Sequence, residues 1–269
     1  MIDNHNHNNN NHNHNNNNNN HNNIPSNHPR AKSLAIRELL VSGFRSGLVV
    51  SEGLIAHGRG EAFDYLLGEK TSTYAFDAIK AAASLLLLAE RPVISVNGNT
   101  AALCPKEVVE LANETKSLLE VNLFYRTNNR EILIAEILKK NGASIVLGVG
   151  QKKFVKIPEL TSNRRHVDPE GIFLADVVFV PLEDGDRTQA LINIHKKVIT
   201  IDLNPLSRTS QTATISIIDN IVRSMPELVK TAKQLKQMNK NSLLDILNNF
   251  NNQYNLDNSL RIIRGRSEL

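Results

Sequence analysis

The sequence predicts an α/β protein built on a parallel β-sheet. Two runs of β-branched and apolar residues, 177–180 and 198–201, flank residues 188–195, which have the apolar spacing of a short helix. Near-continuous apolar runs are typical of strands buried on both faces, and the strand–helix–strand order is typical of a parallel βαβ unit. Helical and strand patterns alternate in the same way before this stretch. Polar residues follow both runs, and the carboxyl ends of parallel strands face the ligand crevice.

The other elements follow from local patterns, taken in order along the chain. Amphipathic spacing predicts a helix over residues 30–45, and an alanine-rich apolar face predicts another over 73–90. Residues 48–56 fit either a short helix or an extended segment. Short apolar runs and helical spacing then predict strands at 93–96, 119–123, 145–149 and 213–218, and helices at 106–115, 128–140 and 226–239.

Three parts of the chain depart from this alternation of predicted helices and strands. Residues 1–23 are almost entirely Asn and His, which predicts a disordered, solvated tail. Residues 152–171 are basic and contain two prolines, which predicts a long loop of the kind that is usually functional or mobile. Residues 242–269 are polar and helical, and we expect them outside the main core. The predicted organisation is a tail at 1–23, an α/β domain at 24–240 and a C-terminal helical extension at 241–269.

Composition excludes several classes of protein. The chain has 269 residues, a net charge of +4 and one cysteine, Cys104, so an internal disulfide and a cysteine-based zinc cluster are both excluded. The apolar context of Cys104 favours a core residue over a nucleophile, and sparse cysteine suits a reducing cytoplasm. No apolar run reaches the length of a membrane span. Basic residues are scattered and aromatics are scarce, so nucleic acid is not an expected partner.

Two polar segments are candidate ligand loops. Residues 57–68 place two glycines around Arg59 ahead of a helical pattern, so backbone N–H groups and a guanidinium can converge on an anion there. Such turns are also common without a ligand. His57, in the same segment, is either a structural or a catalytic histidine. Residues 97–103 follow a predicted strand and form a second loop at the same edge of the sheet.

Carboxylates follow both strands of the central stretch. The acidic cluster at 183–186 suits Mg²⁺ beside phosphates, and it equally suits a solvated turn that caps the next helix. Asp202 can accept hydrogen bonds from ribose hydroxyls. Residues 204–209 form either a proline turn or, through Arg208 and neighbouring hydroxyls, a phosphate clamp. No glycine-rich dinucleotide fingerprint and no P-loop motif occurs, which disfavours a standard dinucleotide site.

Six segments together resemble the archaeal 4-phosphopantoate–β-alanine ligase family, also called archaeal phosphopantothenate synthetase. They are residues 57–67 (HGRGEAFDYLL), 92–103 (PVISVNGNTAAL), 123–127 (LFYRT), 177–191 (VVFVPLEDGDRTQAL), 201–208 (IDLNPLSR) and 217–223 (IIDNIVR). The resemblance implies a Rossmann-like fold, a homodimer and an ATP-dependent ligase of coenzyme A biosynthesis. Such an enzyme joins 4-phosphopantoate to β-alanine through an acyl-adenylate and releases AMP and diphosphate.

The resemblance also implies which residues contact ATP. Arg37 and Arg59 fall at arginines that approach the nucleotide. The other implied contacts are Asp202, Leu203 and Asn204 at the ribose-binding strand end, Arg208 and Thr209 directly after it, and Asn220 and Ile221 where the adenine is recognised.

Acyl-adenylate chemistry depends on positioning and charge neutralisation more than on a nucleophile. We expect Arg59, together with Mg²⁺ held by Asp184 or Asp186, to neutralise the triphosphate. His57 is the candidate base for the β-alanine ammonium group. The expected ligands of the doubly charged acid are Asn97, Asn99, Arg126 and the basic loop over residues 152–165.

Three other functions are compatible with the residues. A non-catalytic nucleotide sensor on the same fold would bind ATP without turnover, since fold does not determine function. A ligase for a different hydroxy acid and amine would share the ATP site. A nicotinamide-dependent oxidoreductase is the third alternative, and the missing glycine fingerprint counts against it.

Overall fold

The computed structural model of the chain describes residues 25, 27–28, 30–150 and 153–265. The strands are β1 (Pro92–Val96), β2 (Leu118–Val121), β3 (Val155–Lys156), β4 (His166–Val167), β5 (Val177–Phe179), β6 (Lys197–Ile201) and β7 (Ile215–Ile217). The helices are α1 (Ala31–Arg45), α2 (Ser51–Leu67), α3 (Thr73–Leu88), α4 (Gly98–Leu103), α5 (Pro105–Thr115), α6 (Asn128–Lys140), α7 (Gly185–Asn193), α8 (Arg208–Thr212), α9 (Ile221–Leu235), α10 (Lys240–Asn248) and α11 (Asn252–Gly265).

Five strands form one sheet in the order β2-β1-β5-β6-β7, and every neighbouring pair is parallel. The prediction of a Rossmann-like α/β fold, with a parallel sheet flanked by helices, is confirmed. The chain first builds outward from β1 to β2 and then continues from β5 on the other side of β1. A topological switch point therefore lies between β1 and β5, where sheets of this kind bind ligands.

Helices and loops cover both faces of the sheet. Successive side chains of a strand point to opposite faces, so β5 sends Val177 and Phe179 to one side and Val178 and Val180 to the other. The first pair packs with the apolar faces of α3, α5 and α9. The second pair packs with α7 and with apolar residues of segment 157–172. Burial on both faces explains why these strands have no alternating pattern in the sequence.

The glycine-rich segment at residues 57–68 is helical, and the prediction of a loop there is wrong. Helix α2 runs without a break from Ser51 to Leu67. It includes residues 51–56, so most of the ambiguous segment 48–56 is helical. Glycine costs up to about 1 kcal/mol in a helix interior, but at Gly53 close packing favours it. A Cβ on Gly53 would lie only 2.4 Å from Oδ1 of Asn99. The backbone N–H groups of residues 58–60 serve the helix, so only side chains of α2 are available to a ligand.

The predictions for residues 97–103 and 145–149 also fail. Residues 97–103 are not a loop, because Oδ1 of Asn97 accepts a hydrogen bond from the backbone N–H of Thr100 and begins α4. Residues 145–149 do not form a strand. They make a single parallel bridge, from Leu147 to Glu120, and Gly148 then turns the chain with a φ of +76°.

Segment boundaries differ in the second half of the chain. Lys152 lies outside the described residues, and the rest of the predicted loop contains the antiparallel pair β3–β4 and a short 3-10 helix, Asn163–Arg165. Helix α7 begins at Gly185, three residues before its predicted start, because Asp184 caps it. Helix α9 begins at Ile221 instead of Pro226, because Asn220 caps it and the proline is tolerated inside the helix.

The C-terminal residues form two helices that pack on the α/β layers. Helix α10 contacts α3, and α11 contacts α2, α3 and β7. Leu256 of α11 is buried with Leu67, Leu203 and Ile218, so α11 closes an apolar cluster below the end of β6. The predicted domain division remains a prediction, and the Asn/His tail and residues 266–269 lie outside the described residues. No helix in the described ranges is long and apolar enough to cross a membrane.

Candidate active site

A cavity of about 470 Å³ opens at the carboxyl edge of the sheet, beside the switch point between β1 and β5. This volume is typical of small-molecule sites. The predicted site residues that line it are His57, Arg59, Asn97, Asn99, Asp184, Asp202, Leu203, Asn204 and Thr209. The strand ends and α2 therefore bring residues together that are up to 152 positions apart in the chain, from His57 to Thr209.

The two strands at the switch point are tied together by Asn97. Its Nδ2 donates to the backbone carbonyls of Pro181 and Leu182, each at 3.1 Å, while its Oδ1 caps α4. Both donors and an acceptor of this amide are thus committed to the fold. Neighbouring Asn99 donates through Nδ2 to the carbonyl of Gly53 at 2.9 Å and so connects α4 to α2.

Helix α2 forms the wall that carries His57 and Arg59. Burial disfavours the charged imidazole and lowers the pKa of His57 below its ordinary value of 6.5, although Glu61 acts in the opposite direction. Within the described part of the chain, the exposed guanidinium of Arg59 has no hydrogen-bond or ion-pair partner, and it lines the cavity. Arg59 is therefore available to an anionic ligand without breaking an existing contact.

The end of β6 supplies a second polar wall. Asp202 accepts a hydrogen bond from the backbone N–H of Asn204 at 3.0 Å and another from the hydroxyl of Ser207. Burial raises the pKa of Asp202, and the hydrogen bond from Ser207 acts against that rise. Thr209 donates to the carbonyl of Glu183 at 3.0 Å, which joins this strand end to that of β5.

The three carboxylates after β5 have different environments. Glu183 is buried between two arginines, Arg164 and Arg187. Asp184 caps α7 through Oδ1, and its Oδ2 has no hydrogen-bond partner among the described residues, with Nε of Arg164 3.5 Å away. Asp186 points to the surface and forms an exposed ion pair with Arg208 at 2.7 Å, outside the cavity.

Two further arginines line the cavity: Arg164, which belongs to the basic loop predicted to bind the acid, and Arg130, which sequence reasoning did not assign to the site. Arg164 lies at its wall with its side chain only 10% exposed, and Arg130 of α6 donates to the backbone carbonyl of Leu48 at 3.1 Å. The Nε atoms of both arginines are buried without a hydrogen-bond partner in the part of the chain that the structure describes. Burial lowers the pKa of Arg164 to about 9, so its guanidinium remains charged at neutral pH.

Arg187 and Glu120 were also missed, and Glu120 had a signal in the sequence. Arg187 has a fully buried side chain that donates from Nη1 and Nη2 to the hydroxyl of Ser95, each at 3.1 Å, and contacts Glu183. Glu120 interrupts the apolar run of β2, and a charged residue inside a strand buried on both faces indicates a specific partner. Burial raises the pKa of Glu120 to about 7.

Several predicted site residues lie outside the cavity lining. Arg37 forms a two-point ion pair with Glu61, with both N–O distances at 2.8 Å. Arg126 contacts Glu131 and donates to two backbone carbonyls, those of His166 at 2.8 Å and Gly148 at 2.9 Å. The remaining ones are Asp186 and Arg208, paired at the surface, Asn220, which caps α9 and donates to Asp64, and Ile221, which is buried in the main core.

The cavity therefore has the features of a site for a polyanionic ligand with an apolar part. Arginines face it from α2, from α6 and from the segment after β3, and Leu123, Leu182 and Leu203 add apolar surface. Cys104 is buried elsewhere, and burial raises the pKa of its thiol, so it is not an activated nucleophile. Among the described residues, no three His, Cys, Asp or Glu side chains are placed to hold a metal ion.

The fold and the cavity define a Rossmann-like α/β protein with a cavity suited to an anionic ligand at the carboxyl edge of its sheet. Comparison with known proteins is more specific. A sequence profile of the family described as "Phosphopantothenate/pantothenate synthetase" matches residues 74–266. The chain therefore belongs to the phosphopantothenate/pantothenate synthetase family, as the resemblance in the sequence predicted.

Curated relatives agree with this membership. A Thermococcus kodakarensis protein named 4-phosphopantoate–β-alanine ligase is 51% identical over 244 residues, which covers 90% of this chain and 93% of the relative. A Methanosarcina mazei protein of the same name is 50% identical over 241 residues, covering 90% and 94%. A third, from Methanospirillum hungatei, is 52% identical over 212 residues, covering 79% and 86%.

Proposed function

We propose that this chain is an ATP-dependent ligase that joins the carboxylate of 4-phosphopantoate to the amine of β-alanine. The products are 4-phosphopantothenate, AMP and diphosphate. Family membership and the names of its relatives support the reaction. The single observation that carries the assignment of the site is the cavity at the switch point, which joins the Asp202 strand end to three arginines, Arg59, Arg130 and Arg164.

The composition of the cavity suits activation by adenylation. A free carboxylate does not acylate an amine, so it first attacks the α-phosphorus of ATP, forming an acyl-adenylate and releasing diphosphate. The amine of β-alanine then attacks the acyl carbon, and AMP leaves. Both steps concentrate negative charge at phosphates, and fixed cations in a partly dry site stabilise such charge without a protein nucleophile.

We place ATP against the end of β6 and α2. Asp202, with Leu203 and Asn204, lines the cavity where a ribose hydroxyl can donate to a carboxylate. Thr209 lies beside it, and Arg59 is free to contact the triphosphate. Contacts from Arg37, Arg208, Asn220 and Ile221 remain predictions of the family resemblance, since each has other partners or is buried in this structure.

We place the phosphate of 4-phosphopantoate at Arg130 and Arg164. Both arginines line the cavity, and their Nε atoms have no hydrogen-bond partner among the described residues, although Nε of Arg164 lies 3.5 Å from Oδ2 of Asp184. Two such cations suit a group that carries two negative charges. Asn99 also lines the cavity. Asn97 and Arg126 fit a supporting role better than direct contact, because their hydrogen-bonding groups already hold the backbone.

Mg²⁺ suits Asp184 better than Asp186. Asp184 lines the cavity, and its Oδ2 has no hydrogen-bond partner in the described ranges, with Nε of Arg164 3.5 Å away, whereas Asp186 is paired at the surface. A bound Mg²⁺ would be completed by phosphate oxygens and water and would neutralise the triphosphate. Asp184 would supply one carboxylate oxygen, and its Oδ1 would keep its place at the start of α7.

His57 is our candidate base for the ammonium group of β-alanine. Because burial lowers its pKa, it stays neutral at pH 7 and can accept a proton. The acid limb of kcat should therefore lie below pH 6.5, the ordinary histidine value. His57→Gln should remove this limb and lower kcat by about 10²–10⁴-fold, whereas the exposed control His195→Gln should change neither. An unchanged pH profile in His57→Gln would exclude His57 as the base.

A homodimer is the further expectation from the family resemblance. Exposed apolar side chains on α1 and α2, namely Leu39, Phe44, Ile55 and Tyr65, offer a surface for a second copy. Light scattering of the native protein should give twice the mass of one chain. A monomer at micromolar concentration would contradict the expectation.

The reaction is tested by its stoichiometry. AMP and diphosphate should appear in equal amounts, and only when 4-phosphopantoate and β-alanine are both present. Formation of ADP and phosphate would indicate an acyl-phosphate route instead of an adenylate. Binding of ATP without any turnover would favour the sensor, and turnover with a different hydroxy acid alone would favour the other ligase.

A further inference from the structure

One face of the β2 segment carries two buried polar side chains, Glu120 and Asn122. They are two residues apart and therefore point to the same side of the sheet. Glu120 accepts backbone hydrogen bonds from Asp168 at 3.0 Å, through Oε1, and from Ile172 at 2.7 Å, through Oε2. Asn122 donates through Nδ2 to the carbonyl of Arg164 at 3.3 Å and to that of His166 at 3.1 Å. These contacts hold residues 163–172, which we call the strap.

The chain accommodates this contact with a glycine in the strap. A Cβ on Gly171 would lie 2.1 Å from Oε2 of Glu120, so any other residue would push the strap away from the carboxylate. Glu120 and Asn122 are 0% and 1% exposed, and neither lines the cavity. Neither residue can touch a ligand in the cavity directly, and the side-chain hydrogen bonds of both lead to the strap.

The strap brings one functional side chain to the cavity. Arg164 is held at its carbonyl by Asn122 and at its guanidinium by Glu183, with Asp184 3.5 Å from Nε. Its side chain, 10% exposed, has lost most of its freedom before any ligand arrives. A cation fixed in this way loses little further entropy on binding, and small displacements from the productive geometry are costly.

We propose that Glu120 and Asn122 are positioning residues that hold Arg164 in place for the phosphate of the acid substrate. The proposal rests on the proposed function, which puts that phosphate at Arg130 and Arg164. It adds that affinity for the phosphorylated acid depends on buried side chains that the acid never touches. ATP, placed against the end of β6 and α2, should be insensitive to them.

The test is a double-mutant cycle in the full-length protein. Asn122→Ala and Glu120→Gln should each raise KM for 4-phosphopantoate by about 10- to 100-fold, since that is the usual effect of a displaced binding group, and should leave KM for ATP unchanged. In an Arg164→Ala background, Asn122→Ala should add no further change, because the residue through which it acts is gone. Asn141→Ala is the matched control, since Asn141 also donates to a backbone carbonyl, that of Ile137, on the exposed end of α6.

The outcomes separate this proposal from the proposed function. If Arg164→Ala leaves KM for 4-phosphopantoate unchanged, the placement of the phosphate fails. If Arg164→Ala raises that KM but Asn122→Ala does not, or adds its full effect in the Arg164→Ala background, the positioning role is overturned. A purely structural role would lower thermal stability and move both KM values together. If Glu120→Gln does not fold, Asn122→Ala alone decides the question.

Discussion

Arg59→Ala is expected to lower kcat for ligation by about 10²–10³-fold, the usual cost of removing one group that stabilises charge in a transition state. Arg59 lies on the cavity wall of α2, and within the described residues its guanidinium has no partner. Its charge is therefore available to the triphosphate and is not needed for the fold. The measurement is single-turnover formation of AMP, with far-UV circular dichroism as the check on folding.

The matched control for this variant is Arg91→Ala. Arg91 precedes β1 at the opposite edge of the sheet and is also exposed, with its Nη2 3.9 Å from Glu170. It should keep normal activity. Arg59→Lys should retain part of the rate, because it preserves the charge but not the planar fork that matches phosphate. Normal ligation by Arg59→Ala, with native circular dichroism, would remove Arg59 from the site.

Arg187→Ala is expected to lower the free energy of unfolding by about 3 kcal/mol, because it breaks a buried ion pair and leaves Glu183 with Arg164 as its remaining cation. The Arg187 side chain is 0% exposed and Glu183 is 2% exposed, so water cannot replace the lost contact. The hydroxyl of Ser95 also loses both of its donors. Urea denaturation followed by circular dichroism would measure the change.

Arg91→Ala again supplies the comparison for stability. Its ion pair with Glu170 is exposed on both sides, and such pairs contribute about 0–1 kcal/mol. A loss of less than about 1 kcal/mol in Arg187→Ala would mean that Arg164 alone compensates the charge of Glu183 in the folded protein. A large loss of stability would also predict weaker binding of the acid. Glu183 contacts Arg187 and also holds Arg164, which we place at the phosphate of the acid.

The sheet was predictable because its signals are local. Strands β5 and β6 appear in the sequence as continuous apolar runs, and burial on both faces is the reason. The helices α3, α5 and α6 appear as helical spacing with recognisable ends. The shared position of the polar residues after β1, β5 and β6 was also predictable, because parallel strands present their carboxyl ends at one edge of the sheet.

The errors occurred where contacts distant in the sequence override local preference. Glycines at 53, 58 and 60 indicate a turn locally, yet α2 remains helical because its neighbours pack closely against Gly53. Residues 145–149 have the pattern of a strand, but a turn at Gly148 limits them to one bridge with β2. In α2 tertiary packing outweighs a local cost of about 1 kcal/mol for a glycine in a helix.

Local sequence was sufficient for the α/β class, for the parallel sheet and for the polar residues that end its strands, because each of these depends on neighbours within a few positions. The choice between arginines was made by tertiary structure. Arg126 and Arg164 are both basic residues next to polar segments, yet the first is bound by carbonyls 22 and 40 positions away, and the second reaches the cavity beside Glu183. A long, charged side chain binds whichever carboxylate or carbonyl the folded chain brings within about 3 Å, and that distance is set by the packing of the strap against β2.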